Sequence, residues 1–389
     1  MVPYLRAANV KDGFLDLSDV KSMDFDPSEQ SIFGLRPGDV LVTEGAGSLA
    51  AVGASAVFGG EIEGVVCFQN TLLRLRPRTG TDARYLMWWA RHAYGSGLLA
   101  SIADGANIYH LGAQNVRILP VTVPDSGSQR AIADYLDIES ARVDRLLETK
   151  RRMLALLDQR LGTLVGAALT GALPETERHF ADVESRPLGM FASVDLGRAR
   201  TPESADGPTM VPYLRAANVK NGHLELDSVL EMNFTPAEQV KYALQPGDVL
   251  VTEGAGSLAA VGANAVWNGE VGGVVCFQNH LLRIRATERS HPRFIAWWAR
   301  YAYESGLLAS LATGAQILNL GAENVRRLPV RIPPLEAQGA ISGLLDRSVG
   351  AIEAMKNQLQ RQVALVQQRR ALLVSAAVTG ELQIPAVVA

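Results

Sequence analysis

One unit of sequence occurs twice in this chain. The run MVPYLRAANVK begins at Met1 and again at Met210, an offset of 209 positions. The offset then holds without a gap. PGDVLVTEGAGSLAAVGA begins at Pro37 and at Pro246, and GVVCFQN begins at Gly64 and at Gly273. Trp88 and Trp89 return as Trp297 and Trp298, and Thr170 and Gly171 return as Thr379 and Gly380. Residues 1–180 and 210–389 are therefore two copies of one unit. Any fold must be built twice, because a repeat at fixed period is the signature of a repeated architecture. The segment 181–209 has no counterpart before Met1. Two explanations stay open: a natural start further upstream, or a first globular domain that lacks its leading elements.

Each copy has two parts. The first is rich in Gly, Val and short apolar runs such as VLVT at 40–43 and LLRLR at 72–76. Such runs between turn signals predict strands. A helix is predicted over ARYLMWWARHAY, starting at Ala83, and over its copy PRFIAWWARYAY, starting at Pro292. Leu86, Trp89 and Ala93 there have helical spacing. The second part is a long helix. Val143, Leu147, Lys150, Leu154, Leu157, Leu161, Leu164 and Ala168 succeed one another in steps of four and three. Ile352, Lys356, Leu359, Val363, Val366, Arg370, Leu373 and Ala377 repeat the pattern. That is the heptad seam of a coiled coil. Gly171 and Gly380 supply the expected stops. About 40 helical residues span roughly 60 Å. One seam cannot bury itself, and its simplest partner is the other helix of the same chain. The alternative packs each seam on its own globular part.

Hydrophobic residues make up 48 % and charged residues 20 % of the 389, enough for packed cores. The apolar runs are all too short or too interrupted for a membrane span, and the first residues lack an apolar signal core. Cys67 and Cys276 do not make a disulfide framework. A cytoplasmic protein is the expectation. The formal net charge of −3 argues mildly against a nucleic-acid binder that acts alone.

Catalytic readings fare poorly. Gly45, Gly47 and Ala50 fit G-x-G-x-x-A, but a dinucleotide site needs a long helix after the turn. Here Gly53 and the pair Gly59-Gly60 break up the stretch where that helix would run. A Walker loop is excluded because no Gly-Lys-Ser/Thr occurs. Pro124, Asp125, Glu148 and Lys150 imitate a nuclease pattern. However, Glu148 and Lys150 lie in the heptad helix, and the second copy has Pro334, Asn357 and Leu359 at the matching places of Asp125, Glu148 and Lys150. None of the six histidines is matched by a histidine in the other copy, so a repeated metal site is not expected. Cys67 and Cys276 sit in apolar runs, where a buried small residue is the expected role.

Two globular parts alternating with two long helices resemble the specificity subunit of type I restriction-modification systems. The resemblance covers nearly the whole chain. It rests on PGDVLVTEGAGS at Pro37 and Pro246, and on the helix entry IPPLEAQGAI at Ile332 with its looser copy VPDSGSQRAI at Val123. It rests also on Leu-Thr-Gly at 169–171, kept as Val-Thr-Gly at 378–380, and on GRARTPE at Gly197. The resemblance implies an α+β chain. Two tandem β-rich target recognition domains, residues 1–127 and 174–336, would alternate with helices 128–173 and 337–383, with a tail 384–389 at the end. The helices would form an antiparallel coiled coil that sets the distance between two DNA half-sites. It further implies double-stranded DNA and two methyltransferase subunits as partners, with restriction and translocase subunits joining through the complex. The chain itself would be non-catalytic and would bind no cofactor or metal, and S-adenosylmethionine, ATP and magnesium would belong to the partners.

Half-site reading needs base-edge contacts at a few positions and phosphate contacts that fix register. Polar positions shared by both copies are the first candidates: Tyr4 and Tyr213, Arg6 and Arg215, Asn9 and Asn218, Lys11 and Lys220. Thr43 and Thr252, Glu44 and Glu253, Ser48 and Ser257, and Gln69 and Gln278 join them. The loops DGANIYH at 104–110 and TGAQILN at 313–319 add Asn107, Tyr109, His110, Gln316 and Asn319. Arg74, Arg76, Arg283 and Arg285 alternate along strands, as phosphate contacts or as a solvated face. Two similar readers related by a two-fold should prefer two similar, oppositely oriented half-sites. The rival class is a duplicated protein-interaction scaffold with a coiled-coil hub and no DNA reading.

Overall fold

An uninterrupted apolar run reads as a strand covered on both faces, and the run after Pro37 behaves that way. The computed structural model describes residues 1–46, 51–105, 109–255, 260–314 and 318–384. They divide into two compact units, Met1–Arg152 with Leu359–Ala389, and Met153–Gln358.

In the first unit the strand Asp39–Thr43 is buried along its whole length. It pairs antiparallel with Ser55–Phe58 on one side and with Leu72–Leu75 on the other. Val40 and Val42 face one core with Trp88, Trp89, Ala90 and Leu99. Leu41 points the opposite way, into a core with Leu5, Val10, Phe58 and Leu72. The predicted helix runs Ala83–Gly95 and starts on Asp82, whose carboxylate accepts from the amides of Arg84 and Tyr85. A smaller sheet pairs Val2–Leu5 antiparallel with Lys21–Met23 and parallel with Cys67–Phe68.

The second unit repeats this plan with one strand more. Its sheet runs, in order, Ala192–Leu196, Leu281–Ala286, Val249–Thr252 and Asn264–Val266. The unmatched segment supplies the first of these, and also Ser185–Pro187, which pairs with Pro329–Arg331.

The two long helices run Ser126–Thr170 and Leu335–Thr379, 45 residues each. Each starts two residues before its expected position, and they end at 170 and 379 rather than at 173 and 383. The early start of the first has a cause. Asp125 accepts from the amides of Gly127 and Ser128, at 2.9 and 3.0 Å, and so caps the helix. The ends fall where Gly171 and Gly380 take φ of +77° and +83°, a left-handed turn that suits glycine.

In the first unit, Ala133 and Leu136 share a core with Val374, Ala377 and Val378. Asp144 meets Arg370 at 2.8 Å and Lys150 meets Gln362 at 2.7 Å, so one helix segment advances as the other recedes. In the second unit, Leu161, Val165 and Ala168 share a core with Ile341, Leu345, Val349 and Ile352, and Lys356 meets Asp158 at 2.7 Å. Every seam position named from the sequence is buried or half-buried. Leu156, Leu365 and Leu372, which lie off the seam, are exposed.

Candidate nucleic-acid interface

Backbone hydrogen bonds draw four of the candidate segments to one end of the first unit. Gln69 N donates to Leu5 O, beside Arg6, at 2.9 Å. Ala7 N donates to Thr71 Oγ1 at 3.2 Å. Glu44 N donates to Thr71 O at 2.9 Å, and Leu111 N to Glu44 O at 2.8 Å. The Gly-rich loop and the 104–110 loop then join as a ladder, with Ala46 opposite Tyr109 and Gly45 opposite His110. Asp104 and His110 exchange both backbone hydrogen bonds, which closes that second loop. His110 Nδ1 lies 3.1 Å from Glu44 Oε2.

The second unit repeats the backbone bonds of this chain of contacts. Gln278 N donates to Leu214 O, Glu253 N to His280 O, and Leu320 N to Glu253 O. Gly254 faces Asn319 across the ladder. Spacing alone could not show that loops so far apart in sequence meet, and it did not single out Thr71 or His280. The available signal was the Thr-for-His mismatch directly after the identical run GVVCFQN.

Candidate side chains divide into two kinds. His110 and Asn319 are exposed and Tyr109, Gln69, Gln278, Glu44 and Glu253 are half-buried in the two loop clusters, while Lys11 is exposed on the short strand Val10–Lys11. Lys220 is half-buried and lies 3.4 Å from Glu225. These can reach a ligand. Asn9 and Asn218 are buried and act inward. Asn9 Oδ1 accepts from Arg6 N and its amide donates to Asp16 O and Asp19 O. Asn218 does the same with Arg215 N and Glu225 O. A buried amide needs such partners, and these two asparagines fix the backbone of their turns.

Thr43 and Thr252 also point inward. Their hydroxyls donate to Ala51 O and Ala260 O, at 3.0 and 2.8 Å. Thr43 Oγ1 also accepts from Gly53 N at 2.9 Å. Gly53 has φ +92°, and a Cβ there would lie 2.7 Å from Leu99 Cδ1, so this position requires glycine. Tyr213 is buried with Met232, Phe234 and Cys276. Tyr4 packs edge-on against Phe25. Arg6 pairs with Asp19. Arg215 is half-buried, and its Nε has no hydrogen-bond partner among the described residues. Ser48, Asn107, Ser257 and Gln316 lie outside the described residues.

The alternating arginines are neither a solvated face nor free for phosphate. Arg76 holds buried Asp39 through two bonds of 2.7 and 2.6 Å and donates to Gly34 O. Arg285 holds Asp248 in the same way and donates to Ala243 O. Arg74 donates to Ile32 O and Gly34 O. Arg283 donates to Lys241 O and Ala243 O and pairs with Asp195. They tie the central sheet to the short helices Pro27–Phe33 and Pro236–Tyr242.

Each globular part is set on its long helix by repeated contacts. Gln129 and Gln338 are buried and accept from the amides of Asp82 and His291, at 2.8 and 2.7 Å. Trp88 and Trp297 donate from Nε1 to Asp137 and Asp346, both at 2.9 Å. The cysteines are buried, as expected. Burial pushes the Cys276 thiol up to about 12 and raises that of Cys67, which disfavours the nucleophilic thiolate. No group of three or more metal-ligating side chains occurs among the described residues. No helix among them is long and apolar enough to cross a membrane.

Residues 181–364 match the family model described as the type I restriction modification DNA specificity domain. Over those residues the chain resembles a type I specificity domain. Its likeness to specificity subunits extends well beyond those residues. The specificity subunit of the type I restriction enzyme EcoKI, from Escherichia coli (strain K12), is 22 % identical over 389 residues, which is 98 % of this chain and 82 % of that one. The StySPI specificity subunit from Salmonella potsdam is 23 % identical over 393 residues, with the same coverage of both chains. Among solved structures, a chain from a study of type I restriction-modification complex assembly and conformational transition superposes with a TM-score of 0.75. It is 16 % identical, over 98 % of this chain and 92 % of that one. The HsdS subunit from Thermoanaerobacter tengcongensis superposes with a TM-score of 0.58 at 16 % identity, over 98 % and 91 %. At that identity the structures speak for the α+β fold alone.

Proposed function

We propose that this chain is the non-catalytic DNA-reading subunit of a cytoplasmic type I restriction-modification complex, and that it reads two similar, oppositely oriented half-sites of a bipartite target. Residues 1–127 and 174–336 act as the two target recognition domains. The two long helices pack as an antiparallel coiled coil that spaces them. Two methyltransferase subunits dock on the chain and supply the chemistry, and restriction and translocase subunits join through that core.

The observation that carries this reading is the duplicated loop cluster. In both units the turn after the first strand, the Gln69 or Gln278 turn, the Gly-rich loop and the 104–110 or 313–319 loop are held together by the same backbone bonds. Exposed polar groups on adjacent loops at one end of a rigid sheet are what base-edge and phosphate contacts require. Opposed helix directions in the first unit, and the shared helix core in the second, support the coiled coil. Sequence differences inside the cluster, Thr71 against His280, Tyr109 against Leu318 and His110 against Asn319, would make the two half-sites similar but not identical.

The test is to co-express the chain with its methyltransferase subunit and to map methylated bases across a genome. The expected motif is an interrupted near-palindrome. Two unrelated half-sites would remove the symmetry argument. Failure to recover a methyltransferase, together with no sequence-selective DNA binding, would favour a protein-interaction scaffold.

A further inference from the structure

One charge beside the loop clusters differs between the two units. Arg6 and Arg215 hold the same place in each copy, directly after Leu5 and Leu214, whose carbonyls accept from Gln69 N and Gln278 N. Both arginines are half-buried, and in both the Nε is buried with no hydrogen-bond partner among the described residues. In the first unit Arg6 Nη2 meets the carboxylate of Asp19, a side chain that is otherwise exposed. In the second unit the position that matches Asp19 carries Ser228. Strand register supports the match, because Tyr4 lies opposite Lys21 and Tyr213 opposite Leu230.

The second unit therefore keeps the cation and loses its acid. Among the described residues the Arg215 guanidinium makes no hydrogen bond and no ion pair. Glu225, whose carbonyl holds Asn218 of the same turn, is taken by Lys220 at 3.4 Å. Guanidinium donors withdrawn from water call for a partner. The first unit shows what kind of partner suits this place, since a carboxylate occupies it there. An anionic oxygen pair fits the planar fork of arginine. The anion that DNA offers is its backbone phosphate, whereas its base edges are neutral.

Resting on the DNA-reading function above, we propose that Arg215 grips a backbone phosphate of the half-site read by the second unit, and that Asp19 competes with phosphate for Arg6 in the first. Phosphate meets an unpaired guanidinium at Arg215 and must displace a carboxylate at Arg6. Contacts of this kind fix register and carry no base information. The two units then read DNA with similar loops but hold it with unequal strength.

The test uses the full-length chain in complex with its co-expressed methyltransferase subunit. A labelled duplex carrying the motif that the wild-type complex methylates is titrated by fluorescence anisotropy across a potassium chloride series. Arg215→Ala should weaken binding about tenfold at low salt, as loss of a hydrogen bond to a charged group does. It should also flatten the slope of log affinity against log salt by about 0.9, the value of one phosphate contact. Arg215→Lys keeps the charge and should keep most of the slope. Ser228→Asp, an exposed position, installs the missing acid and should flatten the slope without removing any contact that the fold uses. Asp19→Ser frees Arg6 and should steepen it. An unchanged slope with Ser228→Asp or with Asp19→Ser overturns the proposal, even where Arg215→Ala fails to fold. A relaxed methylation motif with Arg215→Ala also overturns it, because the arginine would then be reading a base. A wild-type complex that binds no DNA removes the DNA-reading function itself, and the proposal falls with it.

Discussion

Replacing Arg76 by alanine should destabilise the first unit more than replacing its partner Asp39 by asparagine. The asymmetry stems from where each charge sits. Asp39 is 1 % exposed, whereas the Arg76 side chain is 30 % exposed. Arg76 supplies two of the bonds to the carboxylate, and Arg36 N supplies a third at 2.8 Å. With Arg76 gone, a buried carboxylate keeps one backbone donor. Stranding one member of a buried pair costs about 3–5 kcal/mol, and we take about 3 kcal/mol because the partner is partly solvated. With Asp39→Asn the guanidinium can turn to water and the amide still fills the site, so about 1–2 kcal/mol is expected. Changing both residues should cost less than Arg76→Ala alone, since no buried charge is then left unpaired. The assay is equilibrium urea unfolding, read through hydrogen exchange at the amides of Asp39–Thr43 so that the first unit is tracked by itself. Equal losses for the two single variants, or a loss under about 1 kcal/mol for Arg76→Ala, would refute the reasoning. Arg285 and Asp248 offer the same test in the second unit.

Other outcomes are expected. Gln338→Ala removes an acceptor for His291 N and donors to Arg289 O and Pro333 O, and should lower stability by about 2–3 kcal/mol in thermal unfolding. Because burial pushes the Cys276 thiol up to about 12, its thiolate is scarce below that pH. Cys276 should resist a thiol reagent at pH 8 and react only once denaturant is added, and rapid native labelling would contradict this. Deleting one heptad from each long helix shortens the spacer by about 10 Å, or about three base pairs. The methylated motif should keep its half-sites and lose spacing, and an unchanged gap would remove the ruler role. Tyr109→Leu together with His110→Asn gives the first unit the second unit's residues at two of the four loop positions that differ. Methylation mapping should then return a more symmetric motif.

The features legible in the sequence were those carried by periodicity. The repeat, the two long helices with their seams, and the helix starting at Ala83 all depend on local spacing, and local spacing survives folding. Which way a polar side chain points depends on partners that lie far away in sequence. Arg74 and Arg76 alternate as surface residues do, yet the carbonyl of Gly34 and the carboxylate of Asp39 draw them in. Thr43 reads as a loop residue with a free hydroxyl, but a glycine ten positions on has already taken it. Asn9 reads as a base-contacting amide, but it closes its own turn. Convergence of the Gly-rich loop with the 104–110 loop was also beyond reach, since a two-residue ladder leaves no pattern in either segment.

The first unit is made from the two extremities of the chain. Its core joins Val40, Trp88 and Leu136 to Val374, Ala377 and Val378, while the second unit is one continuous stretch, Met153–Gln358. The N-terminal sheet lacks one wall of its core until the stretch around Val374–Val378 has been made and released. One wall of this core thus comes from a segment more than 200 residues after the others, and such long-range closure is slow.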